Sequence, residues 1–327
     1  MKLLPKSGVA GFIKELSKTR EVVAPVSDGE SYAVFKSVAP GETPIIDGSR
    51  FILSPRSWFM PGYEVLFETK DGEIVDKTPE TKAYATIGLY LADAHALEVF
   101  DRVFLDGDKP DPYYNARRAD NAIFALVPAK KRWSVFWGMT GNVCDWKKAC
   151  DVVMYDLGSE FVMEPMTDRG AELTKSLADA DDSKKAAADA LLARYDEGEV
   201  DVKAIGERLM WDNPKWEEVS RKCVACGVCT YGCPSCSCFD MRDDLKCGGA
   251  ERYRCLDSCQ HADFTLMGSG YNPRPGRMPR TRQRLLHKFK YQPEQFGMIG
   301  CVGCGRCVEL CPVGIDIRKI VGGKETK

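Results

Sequence analysis

The sequence has no continuous apolar run of 18 residues, so we expect no helix that spans a membrane. Its first residues, Met1–Leu16, carry charges on both sides of a short apolar patch and lack the hydrophobic core of a secretory signal. The net charge of only −2 argues against a general nucleic-acid-binding protein. These absences predict a cytoplasmic protein whose partners include neither a membrane nor a nucleic acid.

Several catalytic and nucleotide-binding patterns are missing as well. We find no G-x-G-x-x-G, no G-x-x-x-x-G-K-[ST] and no H-E-x-x-H, and there are only three histidines. The acidic pairs Asp181-Asp182 and Asp243-Asp244 fit solvated charge better than acid–base catalysis. We therefore predict no catalytic residue, while an enzyme with a substrate site in its N-terminal part stays open as an alternative.

What the sequence does have is cysteine, with 15 in 327 residues and only two of these before residue 165. Eight of them form two runs of the same spacing, C-x2-C-x2-C-x3-C-P, at Cys223–Pro234 and Cys301–Pro312. Disulfides are not expected, because the chain is not small and shows no export signal. Structural zinc is usually held by separated cysteine pairs, so runs of this form fit zinc poorly.

This spacing is the one with which bacterial ferredoxins bind a pair of [4Fe–4S] clusters. Cysteines at i, i+3 and i+6 wrap three corners of one cubane, and the fourth, which precedes a proline, reaches the other cubane. Gly227, Gly303 and Gly305 allow tight turns that bring amide N–H groups towards the sulfurs. The predicted ligands are Cys223, Cys226, Cys229 and Cys311 for the first cluster, and Cys301, Cys304, Cys307 and Cys233 for the second.

The other cysteines have no regular spacing. Cys236 and Cys238 follow Pro234 closely, and Cys255 and Cys259 are one helical turn apart, so these four are possible ligands of an additional cluster. The alternative is that they are small buried thiols. We predict two [4Fe–4S] clusters and keep a third as the alternative. The complete set of seven is Cys144, Cys150, Cys236, Cys238, Cys247, Cys255 and Cys259.

The fold class predicted from the pattern along the chain is α+β. Residues 1–165 are predicted to form a mixed α/β domain, residues 166–205 a helical linker, and residues 206–327 an α-helical ferredoxin-like domain. In the first of these, Ala83–Phe104 combines a strand-like start with a helical pattern. Further predicted strands are Tyr32–Val38, Glu64–Phe67, Ala122–Val127, Trp133–Trp137 and Val152–Tyr155.

The insert of 67 residues between Cys233 and Cys301 is expected to be helical. Within it, Asn272–Lys290 has no acidic residue and is strongly basic. Three interpretations are open: a docking face for an acidic partner protein, a set of N–H donors that compensates negative clusters, or a solvated helix face. The basic residues are Arg274, Arg277, Arg280, Arg282, Arg284, Lys288 and Lys290.

Beyond its cysteine runs, the C-terminal third resembles the iron–sulfur subunit family shared by anaerobic sulfite reductase and the cytosolic NAD(P)-linked sulfhydrogenases, in which it is the beta chain. The N-terminal half is similar more loosely. The residues that carry the resemblance are Cys223–Asp240, Leu256–Pro275, Arg280–Tyr291 and Cys301–Ile317, and then Leu91–Gly107, Asp111–Arg118 and Asp151–Gly158.

The resemblance implies a protein that relays single electrons within a complex and makes no substrate bonds itself. Its implied partners are a terminal module of hydrogenase, sulfite reductase or heterodisulfide reductase type and a flavin- and NAD(P)H-binding subunit. This chain departs from the family at Ala92, where relatives often have a cysteine before the equivalent of Asp93-Ala94. A further cluster in the N-terminal domain is therefore not expected.

Overall fold

The computed structural model describes residues 1–29, 32–46, 51–196 and 201–322. Its strands are β1 (Lys2–Pro5), β2 (Glu21–Ser27), β3 (Tyr32–Ser37), β4 (Phe51–Ile52), β5 (Tyr63–Lys70), β6 (Glu73–Asp76), β7 (Tyr84–Tyr90), β8 (Asn121–Val127), β9 (Val152–Asp156), β10 (Glu160–Pro165), β11 (Ala178–Asp179), β12 (Phe239–Lys246) and β13 (Gly249–Leu256). No helix in this part of the chain is long and apolar enough to cross a membrane.

The α-helices are mostly short. They are α1 (Val9–Leu16), α2 (Arg56–Phe59), α3 (Leu91–Phe104), α4 (Pro112–Arg118), α5 (Asp168–Thr174), α6 (Asp182–Ala193), α7 (Val202–Arg208), α8 (Lys215–Arg221), α9 (Val228–Tyr231), α10 (Arg277–Leu286), α11 (Gln292–Phe296), α12 (Arg306–Glu309) and α13 (Ile317–Gly322). A π-helical segment, His287–Tyr291, continues α10.

The chain forms two compact units whose segments alternate along the sequence. The first unit consists of Met1–Met60, Pro79–Trp133 and Asn142–Gly198, and the second of Pro61–Thr78, Ser134–Gly141 and Glu199–Lys327. Two short segments from the N-terminal half thus group with the cysteine runs, which no local sequence pattern indicated. The domain bounds inferred from the sequence stay a prediction.

The first unit is built on a nine-stranded sheet of order β11-β1-β10-β9-β8-β7-β2-β3-β4. Strands β2, β7, β8 and β9 run parallel to one another, and antiparallel strands extend the sheet on both sides. Every residue of β7, β8 and β9 is buried, as expected for central parallel strands covered on both faces. The prediction of a mixed α/β fold is confirmed at this level.

Most of the predicted strands are present. Tyr32–Val38, Ala122–Val127 and Val152–Tyr155 coincide with β3, β8 and β9, and Ala83–Phe104 divides at Leu91 into β7 and α3. The helix begins there because the carboxylate of Asp93 accepts a hydrogen bond from the backbone N–H of Tyr90. Glu64–Phe67 lies in β5, which belongs to the second unit.

The prediction of a strand at Trp133–Trp137 is wrong. This segment is a loop that leads into a 3₁₀ helix at Trp137–Met139. The backbone N–H of Phe136 donates to the carbonyl of Gly303 at 2.9 Å, and the Phe136 ring is buried in the core of the second unit. Phe136 therefore packs beside the second cysteine run, and the segment joins no strand ladder.

The region predicted as a helical linker contains α5, the short strand β11 and α6, and its residues 197–200 lie outside the described part of the chain. Thr167 and Asp181 cap the two helices by accepting N–H bonds from Gly170 and Lys184. Helix α5 contacts β10, and α6 contacts β9 and β10. Both helices therefore cover the sheet of the first unit.

The expectation of a helical insert between the cysteine runs is wrong for its first half. Residues of this half form the hairpin β12–β13, which joins a four-stranded antiparallel sheet of order β12-β13-β5-β6. Strand β13 pairs with β5 across a long stretch of sequence, with Ala250 opposite Thr69. Pairing with a strand so distant in the sequence leaves no local pattern from which it could be predicted. Most residues of β12 are also exposed, so this strand lacks an apolar face. The second half of the insert is helical, as expected.

A buried acid joins three elements of the first unit. The carboxylate of Asp151 accepts hydrogen bonds from the Ile123 N–H at 2.9 Å, the Thr167 hydroxyl at 2.6 Å and the Arg169 guanidinium at 3.0 Å. Burial raises the pKa of Asp151, but the Arg169 and Thr167 bonds outweigh it and the net shift is downward. Its contribution to stability is therefore present above the ordinary carboxyl pKa and is lost as the pH falls through the lowered value.

We expect Asp151→Asn to reduce the opening free energy of β8 and β9 by about 2–3 kcal/mol, because hydrogen bonds to a charged acceptor are lost. Amide hydrogen exchange of these two strands measures that free energy. Asp182→Asn is the matched control, since the Asp182 carboxylate is almost fully exposed and should change the value by less than about 0.5 kcal/mol. Equal exchange in the two variants would contradict the role of this network.

Candidate metal centre

The first cysteine run forms a tight loop between α8 and α9. Gly227, at the start of α9, has φ +75°, and a Cβ there would lie 2.8 Å from Nε2 of His261, so only glycine fits without displacement. Ala225 also has positive φ, and its N–H donates to the sulfur of Cys223 at 3.4 Å. The expectation that the backbone turns amide groups towards sulfur is confirmed here.

The second run repeats this loop. Gly305, at the start of α12, has φ +78°, and Gly303 has φ +58°. A Cβ at Gly303 would lie 2.4 Å from the carbonyl oxygen of Phe136, so the loop is in direct contact with the segment that carries Phe136. The N–H of Ile315 donates to the sulfur of Cys311 at 3.3 Å. Helices α9 and α12, one from each run, contact one another.

A cavity of about 60 Å³ lies between the two runs. Three of its cysteines, Cys223, Cys226 and Cys229, come from the first run, and Cys311 comes from the second. These are the four thiols predicted from the spacing for one cluster, and the structure brings them to one place. Cys307 also lines the cavity, and so do the apolar side chains Val224, Val228, Leu285, Val313, Ile315, Ile317 and Ile320.

The cysteines predicted for the second cluster also come from both runs, and hydrogen bonds connect their surroundings. Cys233 and Cys301 are both buried. The hydroxyl of Ser235 lies 3.5 Å from the sulfur of Cys233 and donates to the carbonyl of Gly300 at 2.6 Å, which ties Cys233 to the residue before Cys301. Cys304 and Cys307 are half-buried.

Burial and basic side chains shift the pKa values of these thiols in opposite directions. Burial raises the pKa of Cys301 to about 12 and that of Cys229 to about 11, while Lys288 lowers the first and Arg284 the second. Cys233 has its pKa held well below the usual range by the Cys236 thiol first, and by Lys288 and Arg284 in addition. Because iron binds thiolate, the basic groups favour the ligand form.

The basic insert supplies these groups from one helix face. Arg280, Arg284 and Lys288 are spaced four residues apart along α10 and its π-helical continuation, and all three are buried. Arg284 donates to the carbonyl of Cys229 at 3.0 Å, and Lys288 donates to Ser235 and to Gly300 at 2.9 and 2.8 Å. Burial lowers the pKa of Lys288, but nearby sulfurs outweigh it and raise the pKa above its usual range.

Other residues of the basic segment lie elsewhere. Arg277 is exposed, although it donates to the carbonyl of Cys223 at 2.9 Å, and the guanidinium of Arg282 stacks on Trp211 at 3.4 Å. A wholly solvated helix therefore does not describe this segment. The buried face favours the interpretation that it compensates negative charge beside the cysteines.

The chemistry of the cavity fits an iron–sulfur cluster. The hydroxyl of Thr281 and the Nε of Arg284 both belong to side chains that line it, and both atoms are buried without a hydrogen-bond partner in the described structure. Unused donors beside four thiols suit a group rich in acceptors, which the sulfide and thiolate sulfurs of a cluster would provide. Within the described residues, no three His, Cys, Asp or Glu side chains stand close enough to hold one single ion.

The additional candidate cysteines are only partly brought together. The thiol of Cys233 is hydrogen-bonded to that of Cys236, and the thiol of Cys238 to that of Cys259, which lowers the pKa of Cys259 to about 6. Cys255 lies on β13, in register with Asp240 and Tyr63. Use of Cys236, Cys238, Cys255 and Cys259 for a third cluster stays a prediction.

The remaining cysteines, outside the two runs and the additional candidates, are placed separately. Cys144 and Cys247 are exposed, and Cys150 is buried in the first unit, where burial raises the pKa of its thiol. Nothing in these positions points to a ligand role.

Sequence reasoning missed several polar residues around the cysteines. Ser134 donates to the Glu309 carboxylate at 2.9 Å within the second unit, and Ser235 bridges Cys233 to Gly300. Ser235 could have been noticed, since it directly follows the Cys-Pro that closes the first run. Thr281 could have been noticed because it lies three residues before Arg284, on the same face of α10. No signal pointed to Ser134.

Comparison with known proteins agrees with this geometry. Residues 222–315 match a family model described as a 4Fe–4S dicluster domain. The chain is 28% identical to sulfhydrogenase 2 subunit beta of Pyrococcus furiosus over 326 residues, which cover 95% of this chain and 94% of that protein. It is 29% identical to polyferredoxin protein MvhB of Methanothermus fervidus over 114 residues, 32% of this chain and 22% of that protein. No solved structure matches.

The family match covers both cysteine runs and the insert between them. The first relative covers nearly the whole of both chains, so its similarity extends through the N-terminal half as well. The resemblance predicted from the residues is thereby confirmed. The chain is thus similar to sulfhydrogenase 2 subunit beta along nearly its whole length, its residues 222–315 match a 4Fe–4S dicluster domain, and both findings fit an iron–sulfur subunit.

Proposed function

We propose that this chain is the electron-transfer subunit of a multi-subunit oxidoreductase and relays single electrons through two [4Fe–4S] clusters. One cluster is bound by Cys223, Cys226, Cys229 and Cys311, and the other by Cys301, Cys304, Cys307 and Cys233. The observation that carries the proposal is the cavity that gathers three thiols of the first run with Cys311 of the second.

The crossed ligand sets make the two clusters neighbours. Each run gives three thiols to one cluster and its last thiol to the other, and α9 contacts α12 between them. An electron on one cluster therefore has a short path to the next. A pair of close one-electron centres is suited to relay, because neither has to hold a substrate.

The two sites differ in their access to solvent. Cys226 is exposed, and the neighbouring Val224 side chain is 56% exposed, so the first cluster lies close to the surface of the second unit. Cys233 and Cys301 are buried, which places part of the second cluster deeper. The exposed edge at Cys226 is where a redox partner can approach closely enough to exchange an electron.

The proposed partners are a terminal module of hydrogenase, sulfite reductase or heterodisulfide reductase type and a flavin- and NAD(P)H-binding subunit. The name of the first relative, which makes it part of a sulfhydrogenase, supports an assembly of this kind. The sequence lacks the glycine-rich nucleotide motifs, which supports a separate protein for NAD(P)H. A flavin is needed because a hydride delivers two electrons, whereas each cluster accepts one.

Anaerobically purified protein is expected to contain about eight iron and about eight acid-labile sulfide atoms per chain, as two [4Fe–4S] clusters require. Cys226→Ser and Cys304→Ser should each lose about half of both, because each removes one ligand of one cluster. The coupling between paramagnetic clusters seen by EPR after dithionite reduction should also disappear in both variants.

Cys247→Ser is the matched control for these measurements, since Cys247 is exposed and lies between β12 and β13. It should retain the full iron and sulfide content. Two iron atoms or fewer in the unmodified protein, or zinc in their place, would overturn the proposal. About twelve iron atoms would contradict the count of two clusters.

The isolated chain should be bleached by dithionite but not by NADPH alone. Addition of a flavoprotein that oxidises NADPH and passes on single electrons should restore bleaching, because the flavin splits the hydride into two transfers. Anaerobic visible spectroscopy follows both reactions. Direct bleaching by NADPH would contradict the relay role and favour an enzyme with its own nucleotide site.

A further inference from the structure

Two side chains of α10 present unused hydrogen-bond donors beside the proposed first cluster. Thr281 and Arg284 are three residues apart, so they occupy one face of the helix. Both line the cavity between the cysteine runs. The hydroxyl of Thr281 and the Nε of Arg284 are buried without a partner in the described structure.

The other end of Arg284 is already fixed. Its Nη2 donates to the carbonyl of Cys229 at 3.0 Å, which holds the guanidinium against the first cysteine run. The side chain is only 8% exposed, so water cannot readily satisfy the remaining Nε–H. A buried charged donor without an acceptor is unfavourable, and an acceptor in the cavity removes this cost.

We infer that Thr281 and Arg284 donate hydrogen bonds to sulfur atoms of the cluster held by Cys223, Cys226, Cys229 and Cys311, and so raise the reduction potential of that cluster more than that of the other. This inference rests on the proposed function. Reduction adds one negative charge to the cluster, so a nearby cation and nearby donors stabilise the reduced form more than the oxidised form. The effect is strong where the surroundings exclude water.

Lys288 occupies the corresponding place at the second cluster. It lies one turn beyond Arg284, and its ammonium group donates to Ser235 and Gly300, which flank Cys233 and Cys301. Its side chain is 3% exposed. The same helix face thus serves both clusters, with Arg284 bonded beside the first and Lys288 bonded beside the second.

The test is an EPR-monitored redox titration of the anaerobically purified full chain and its variants. The Cys226→Ser and Cys304→Ser proteins assign each signal to its cluster. Thr281→Val removes the hydroxyl at nearly constant shape, and Arg284→Gln removes the charge and the Nε–H donor. Both should lower the potential of the first cluster. Thr281→Val should leave that of the second cluster unchanged, and Arg284→Gln should lower it by less than that of the first, because the Arg284 charge also acts on Cys233.

We expect reduction of the first cluster to become about tenfold less favourable in Arg284→Gln, which is about 59 mV for a one-electron couple. Thr281→Val should give a smaller shift in the same direction. Lys288→Met should instead lower the potential of the second cluster. Arg284→Lys should shift the first cluster less than Arg284→Gln, because it keeps the charge while it loses the directed donor.

Arg282→Gln is the matched control, because Arg282 lies on the same helix but stacks on Trp211 and does not line the cavity. It should change neither potential. Unchanged potentials in both Thr281→Val and Arg284→Gln would overturn the inference, as would equal shifts of the two clusters. If the Arg284→Gln protein loses its clusters, the potentials of the isosteric Thr281→Val protein still test the inference.

Iron content separates the inference from the function on which it rests. If the chain contains about eight iron atoms but the Thr281 and Arg284 variants leave both potentials unchanged, the proposed relay function stands and only this inference is overturned. If the chain contains no clusters, both the proposed function and this inference are overturned.

Discussion

Negative charge inside the protein is the constraint on which the second unit depends. The proposed ligands would bind iron as thiolates, and two of them, Cys233 and Cys301, are buried. Burial alone raises the pKa of Cys301 and of Cys229. The compensation comes from Arg284 and Lys288, two buried side chains on a single helix face. It explains why Asn272–Lys290 contains no acidic residue, since a carboxylate on this face would compete with the sulfurs for the same cations.

The same contacts have a mechanical role. Lys288 and Ser235 both bond the carbonyl of Gly300, and Arg284 bonds that of Cys229, so the helix connects the two cysteine runs through their backbones. The apolar side of the helix continues into the core of this unit through Leu285, Leu286 and Phe289. Charge compensation and packing therefore depend on one element, which also connects the backbones around Cys229 and Cys301.

Much of this could be predicted from the sequence, because its strongest signals are local. The cysteine spacing predicted which thiols converge, and the cavity lined by Cys223, Cys226, Cys229 and Cys311 is consistent with that prediction. The buried strands β7, β8 and β9 are continuous apolar runs, which are also visible locally. A basic stretch was evident too, but only the structure shows which of its residues turn inward.

What could not be predicted depends on contacts between distant parts of the chain. The segment around Phe136 has the composition of a strand, yet its backbone bonds Gly303. Strand β12 is charged and largely exposed, so the pattern of the hairpin β12–β13 gave no sign that β5 extends it into a sheet. The helix spacing could place Thr281 on the face of Arg284, but only the structure shows that its hydroxyl is buried beside the cavity without a partner.

The pairing of β5 with β13 also has a consequence for biosynthesis. Thr69 and Ala250 are 181 residues apart, so at about 5–20 residues per second the ribosome needs roughly 10–35 s to deliver the second strand after the first. Until then β5 and β6 lack their neighbour and expose unpaired edges, which invite association with other chains. A nascent chain of this protein therefore needs protection of these strand edges, such as chaperones provide, until β13 is synthesised.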